Sequence, residues 1–151
     1  MIRKACMSDI KIIHKTLTGF GNDDLMVPRP LSQLYDHIRD FTIYEIDGEV
    51  AGFGALQFCW KNLAEIRSLA VLRKFHNEGI GSIIVDALIE EAKKYDISDL
   101  FTLTYQPDFF KQFNFTIVDK SELPLKIWQD CITCVKFPDC DETAMIHKIN
   151  R

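Results

Sequence analysis

Two glycines, Gly79 and Gly81, stand directly after an apolar run, Leu63 to Leu72, and open an amphipathic helical pattern that starts at Ile80. A helix N-terminus in that position offers unpaired backbone N–H groups and the positive end of the helix dipole, and residues without side chains let an anion come close. The spacing suits a pyrophosphate. The loop is not Gly-x-Gly-x-x-Gly and does not end in Gly-Lys-Ser/Thr, so it implies neither a dinucleotide fold nor a Walker-type phosphate loop, and it supplies no magnesium ligand. On spacing alone, a core helix that begins at glycine accounts for the same residues. A second set is Cys131-x2-Cys134-x5-Cys140, three thiolates with His147 or Asp141 as a fourth ligand for zinc or an iron–sulfur cluster. A second cysteine pair is missing, so ordinary thiols are the preferred reading and no metal is expected to be required.

The elements that must hold these groups alternate along the chain. A short strand near Ile2 to Lys4 precedes a helix with Ile10, Ile13 and Leu17 on one side, capped by Ser8 and stopping near Gly19. Phe20 to Pro30 is an irregular segment, and Leu31, Leu34, Tyr35 and Ile38 mark a second helix ending near Asp40. From Phe41 the period becomes two, and Asp47-Gly48 sits where a tight hairpin turn belongs. The next helix carries Ile80, Ile83, Ile84, Ala87, Leu88, Ala92 and Tyr95 as its apolar stripe, with Glu90 and Lys94 paired outside. Short strands at Leu100 to Leu103, Phe115 to Val118 and Thr143 to Ile149 complete the chain, with Pro107 opening a small helix between the first two. This pattern predicts a mixed α/β domain of α+β layers with a mostly antiparallel sheet flanked by helices.

With 151 residues and neither a linker nor a repeat, one domain over 1–151 is expected. Eighteen Lys and Arg against 22 Asp and Glu give a net charge of -4, which lacks the basic footprint of a nucleic-acid or anionic-membrane partner. No apolar run approaches the ~20 residues of a membrane span, and no signal-peptide core follows Met1, so a cytoplasmic location is expected. Five cysteines, an odd number, argue against a disulfide framework.

The residues around the glycine loop also resemble a known signature. Leu69-Ala-Val followed by His76-Asn-Glu-Gly-Ile-Gly resembles the acetyl-CoA motif of the GNAT N-acetyltransferases, Arg/Gln-x-x-Gly-x-Gly/Ala. The order of elements is similar over most of the chain, including Phe109-Phe-Lys-Gln-Phe-Asn-Phe. Ala64-Glu-Ile-Arg-Ser-Leu-Ala-Val, Leu103-Thr-Tyr, Glu122-Leu-Pro-Leu-Lys-Ile-Trp, Asp130-Cys-Ile-Thr-Cys and Cys140-Asp-Glu resemble, more closely, a short free-standing form of the acetyltransferase domain of bacterial N-acetylglutamate synthases. That resemblance implies an acetyl-CoA cleft between splayed central strands, with Leu69, Ala70 and Val71 offering main-chain groups to the pantetheine arm. His76, Asn77, Gly79, Ile80, Gly81 and Ser82 would form the pyrophosphate loop. His76 replaces the usual Arg or Gln, which implies either a weaker phosphate contact or one moved to Arg73 or Lys74.

Amide formation from a thioester needs an unprotonated amine, a donor for the developing oxyanion and a proton for the leaving thiolate. The resemblance makes Glu65 the candidate base, acting through water; a partner for Arg67 is the alternative. The position that often holds a tyrosine acid is Phe110, so the proton comes from water or coenzyme A leaves as the thiolate. An anionic acceptor needs cationic groups, and Arg29 in Pro28-Arg-Pro30 is the leading one, with Arg67 and Lys126 behind it. The implied function is acetyl transfer to the α-amino group of L-glutamate in arginine biosynthesis. Another amino acid or small amine as acceptor, or a non-catalytic acetyl-CoA sensor, are the alternatives. A homodimer through an exposed sheet edge is consistent with the pattern.

Overall fold

A computed structural model describes residues 1–22, 29–122 and 142–149. Seven strands form one sheet in the order β1-β2-β3-β4-β5-β7-β6. They are β1 (Ile2–Lys4), β2 (Phe41–Ile46), β3 (Glu49–Trp60), β4 (Leu63–Val71), β5 (Asp99–Thr104), β6 (Thr116–Val118) and β7 (Thr143–Lys148). Every neighbouring pair is antiparallel except β4 with β5. Helices α1 (Ile10–Asn22) and α2 (Leu31–Asp36) cover one face, and α3 (Ile80–Lys94) with α4 (Pro107–Lys111) covers the other.

Asp47 and Gly48 both hold left-handed φ angles, 50° and 78°, the geometry a two-residue turn requires to match strand twist. The first helix differs from expectation at both ends. Its entry is a 3-10 turn, Met7–Asp9, and the carboxylate of Asp9 accepts the Cys6 N–H at 2.7 Å, so Asp9 and not Ser8 satisfies the helix start. At the other end α1 runs through Gly19 to Asn22. The outer pair on α3 is Glu90 with Lys93, at 3.0 Å, rather than with Lys94.

The core is unequal on the two faces. On the α3 side one continuous cluster joins Ala51, Leu56, Ala64 and Ile66 to Leu100, Phe110, Phe115 and Met145. On the α1/α2 side the described residues form two separate clusters. One gathers Ile10, Ile13, Leu17 and Leu34 with Phe41, Ile43, Phe53 and Ala55, and the other gathers Cys59, Leu63, Phe101 and Ala144. Helix α3 approaches β3 closely because Gly52 and Gly54 lack side chains. A Cβ at Gly52 would lie 2.9 Å from Ile84 Cδ1 and 3.0 Å from the Ala70 carbonyl oxygen.

Arg3 ties the N-terminus down. It bonds both oxygens of Asp9, at 2.8 and 3.0 Å, and reaches Glu45 at 3.0 Å. The hydrogen bond from Arg3 is the main reason the Asp9 carboxyl titrates below its ordinary value, and burial opposes it. Among the described residues no helix is long and apolar enough to cross a membrane.

Three outcomes follow for stability. Gly52→Ala must displace a backbone oxygen as well as Ile84 and should cost about 1–3 kcal/mol in denaturant melts. Gly19→Ala, where a Cβ meets nothing within 4 Å, should instead add about 0.5–1 kcal/mol. Because Asp9 is lowered in the folded state, its contribution is complete above the ordinary value of 3.8 and is lost as pH falls through the lower native value. Melting temperatures measured from pH 6 downward should therefore fall less steeply for Arg3→Met than for the parent chain.

Candidate functional site

The site begins where the sheet comes apart. The parallel ladder between β4 and β5 has three registers, Leu63 with Asp99, Ala64 with Leu100 and Glu65 with Phe101. Beyond it the Thr102 hydroxyl donates to the Ile66 carbonyl at 3.0 Å, a side chain standing in for the next backbone bond. From there β4 continues to Val71 and β5 to Thr104 with no register between them, leaving a wedge whose edges carry backbone polar groups.

A β-bulge in β4 fixes what lines the wedge. Ala70 pairs with Phe53 and Arg67 with Ala55, so Ser68 and Leu69 together face Gly54. Ser68 holds a φ of 54°. The bulge puts Ser68 on the same face as Arg67. There the Ser68 hydroxyl accepts from Arg29 Nη1 at 3.1 Å, and the Arg29 guanidinium lies over the Phe41 ring, 5.6 Å from its centroid. Arg29 is 6% exposed. Its charge also reaches Asp40, whose carboxyl burial pushes up, against the opposing hydrogen bond and charge of His37 at 3.1 Å.

Glu65 is 7% exposed and lies between the two clusters of the α1/α2 face. Across β3 it faces Gln57, and across β5 it faces Phe101. Arg67 Nε stands 3.7 Å from Glu65 Oε1, while Arg67 Nη1 donates to Gln57 Oε1 at 2.8 Å. The structure thus collects Arg29, Glu65, Arg67 and Ser68 on one short stretch of one face. A buried carboxylate beside one guanidinium, with a second farther along the same strand face, can take a proton and leave cationic groups next to it for anionic ones.

The glycine loop closes the wide end of the wedge. Asn77 and Gly79 adopt φ of 66° and 74°, and the first helical bond of α3 runs from Ile83 N–H to the Gly79 carbonyl at 3.3 Å. The N–H groups of Ile80, Gly81 and Ser82 precede it and are the donors a helix start leaves over. Ile80 contributes only backbone, since its side chain is 3% exposed in the core. A Cβ on Gly79 would meet nothing within 4 Å, whereas one on Gly81 would meet Phe109 at 3.3 Å. Open space above Gly79 together with spare donors fits a diphosphate.

Leu72 N–H bonds the Ala51 carbonyl at 2.9 Å, so the peptide groups of neighbouring Val71 turn away from β3 toward the wedge. The His76 ring donates to the Val71 carbonyl through Nε2 at 2.6 Å. Leu69 is half-buried against the α3 core, and Ala70 is buried beneath α1. Lys74 is turned to Glu49, with its ammonium 3.1 Å from that carboxylate. Phe110 is buried among Phe109 and Phe115, an aromatic cluster without a proton to give.

Lys126, Cys131, Cys134, Cys140 and Asp141 lie outside the described residues. Among the described residues no group of three His, Cys, Asp or Glu side chains is arranged to hold a metal. Gln57 and Ser68 were not singled out from the sequence. Ser68 did leave a trace: the apolar alternation runs on Ala64 and Ile66 and resumes on Leu69 and Val71, a slip of one residue that marks a bulge.

Comparison with known proteins agrees with this geometry. Residues 11–115 match the family model described as the acetyltransferase (GNAT) family. An uncharacterised N-acetyltransferase of Chlorobaculum tepidum is 37% identical over 145 residues, 96% of this chain and 94% of that protein. An amino-acid acetyltransferase of Mycobacterium tuberculosis is 29% identical over 133 residues, 86% of this chain and 76% of that one. Among solved structures, N-acetylglutamate synthase of Neisseria gonorrhoeae, complexed with coenzyme A and N-acetyl-glutamate, superposes with a TM-score of 0.91 at 26% identity. It covers all of this chain, which spans 35% of the synthase's length.

Gly79→Ala tests the loop. An alanine disfavours the left-handed backbone by about 1–2 kcal/mol, so the empty loop relaxes and binding must restore it. Calorimetric titration with coenzyme A should show affinity weakened roughly 5- to 30-fold, with the circular dichroism of the fold unchanged.

Proposed function

The chain belongs to the GNAT acetyltransferase family, an acetyl-CoA-dependent N-acetyltransferase, and we propose that its acceptor is an anionic amino acid, L-glutamate in the first place. The observation that carries this reading is the charge pattern on β4 and the arginine docked upon it. Two guanidiniums, Arg29 and Arg67, and one buried carboxylate, Glu65, mirror an amino acid with two carboxylates and one ammonium. The M. tuberculosis relative's name, amino-acid acetyltransferase, and the N-acetyl-glutamate in the Neisseria synthase support the same acceptor class.

In the proposed reaction the acetyl thioester lies in the wedge, with the pantetheine arm along β4 and the diphosphate on the loop from His76 to Ser82. Arg29 and Arg67 hold the acceptor's carboxylates, with Lys126 a further candidate. Glu65, directly or through a water, removes a proton from the α-ammonium group. The freed amine attacks the thioester carbonyl, a C–N bond forms, and collapse of the tetrahedral intermediate breaks the C–S bond as the nitrogen gives up its second proton to water. Phe110 cannot protonate the sulfur, so coenzyme A departs as thiolate or takes a proton from water. No covalent enzyme intermediate is involved. The product, N-acetylglutamate, places the chain, read as one catalytic domain over 1–151, in arginine biosynthesis.

Acetyl transfer to glutamate, glutamine, aspartate and lysine, with products resolved by mass spectrometry, should give N-acetylglutamate as the dominant product. A different dominant product would keep the chemistry and replace the acceptor. Arg29→Ala should raise the KM for glutamate roughly 30-fold or more, the equivalent of about 2 kcal/mol. Unchanged glutamate kinetics would remove Arg29 from the acceptor site. Glu65→Gln should lower kcat by roughly 10²-fold or more while leaving coenzyme A binding intact.

A further inference from the structure

Gln57 stands opposite Glu65 in the antiparallel register, close enough for their side chains to interact. Arg67 is the next residue of β4 on that face. A guanidinium and a carboxylate so placed, in a half-dry setting, can close into a two-pronged pair with N–H···O distances of about 2.7–2.9 Å. Here they do not close: Arg67 Nε remains 3.7 Å from Glu65 Oε1 because Nη1 is engaged at 2.8 Å by the neutral carboxamide of Gln57. The surroundings are asymmetric. Strand β3 presents Gln57 and Cys59, β5 presents Phe101, and β4 presents Arg67 and Ser68 with Arg29 docked upon it. Among the described residues, Arg67 and Arg29 are the cationic side chains in that set.

We infer that Gln57 is a positioning residue: by accepting from Arg67 it holds the guanidinium short of a closed hydrogen-bonded pair with Glu65. The consequence is double. Arg67 does not close on the carboxylate that must take the proton, and Arg67 keeps N–H groups for an acceptor carboxylate. A carboxylate in place of Gln57 would hold Arg67 equally well while adding negative charge beside Glu65; the amide holds it without that charge. This inference rests on Glu65 acting as the base.

The test reads Glu65 directly. In protein carrying ¹³C-labelled glutamate side chains, the Glu65 carboxyl resonance is identified by its absence in Glu65→Gln and titrated against pH. Gln57→Met keeps length and bulk but removes the acceptor. Arg67 should then close on Glu65, lowering its midpoint by about 1 unit. The same variant should lose roughly tenfold in kcat, with the KM for acetyl-CoA unmoved. Gln57→Glu restores an acceptor for Nη1 and should keep kcat within a few-fold. If the Met chain does not fold, Gln57→Leu serves in its place. A Met or Leu variant that titrates like the parent and retains kcat overturns the inference, as does a Glu variant that loses as much kcat as they do. Failure of the underlying reading looks different: Glu65→Gln would then be fully active, whatever the midpoint in the Gln57 variants.

Discussion

Two parallel strands that stop exchanging hydrogen bonds after three registers leave backbone donors and acceptors facing a gap, and each such group, if buried and unmet, costs about 1–3 kcal/mol. The structure meets part of this cost from its own side chains. Thr102 bonds the Ile66 carbonyl at the point of parting, and the His76 ring bonds the Val71 carbonyl at the far end. The stretch between them remains turned toward the wedge, ready to be met by an amide-bearing arm laid alongside it. The residues that would act on such a ligand are placed with reference to the parting. Glu65 is the last β4 residue in the parallel ladder, and the bulge that aims Ser68 at Arg29 comes three residues later.

The bulge is what turns a strand into a site. Regular alternation would send Arg67 and Ser68 to opposite faces. With one residue added, both stand on the α1/α2 face, and the segment that carries Arg29 can be fastened to the strand that carries the carboxylate. The stacking of Arg29 on Phe41 adds an apolar seat, so the guanidinium is fixed from two sides.

Most of the architecture was legible in the sequence because it is written in local terms. Asp47-Gly48 specifies its own turn, the α3 stripe recurs at helical spacing, and the two glycines of the phosphate loop appear where an apolar strand ends. What escaped was decided between segments distant in the chain. Ser8 has the form of a cap, yet Asp9 takes the place because Arg3, itself held by Glu45 of β2, anchors its carboxylate. Gln57 carries no motif, and its role follows only from a register that sets it opposite Glu65. Arg29 could be nominated from its flanking prolines, but its seat on Ser68 and Phe41 depends on a bulge whose sole trace is a one-residue slip in the alternation.

The unequal core gives the molecule a mechanical character. The strands divide into two leaves, β1 to β4 and β5 to β7, joined at the three registers of the parallel ladder. On the α3 side one unbroken apolar mass bridges the joint, while among the described residues of the α1/α2 side a polar seam of Gln57, Glu65 and Arg67 lies between the two clusters. Within the described residues the joint is thus backed by apolar packing on one face and by hydrogen-bonded polar side chains on the other. Anything seated in the wedge would touch both leaves at once, a keystone between halves of the sheet that share only three registers of backbone pairing.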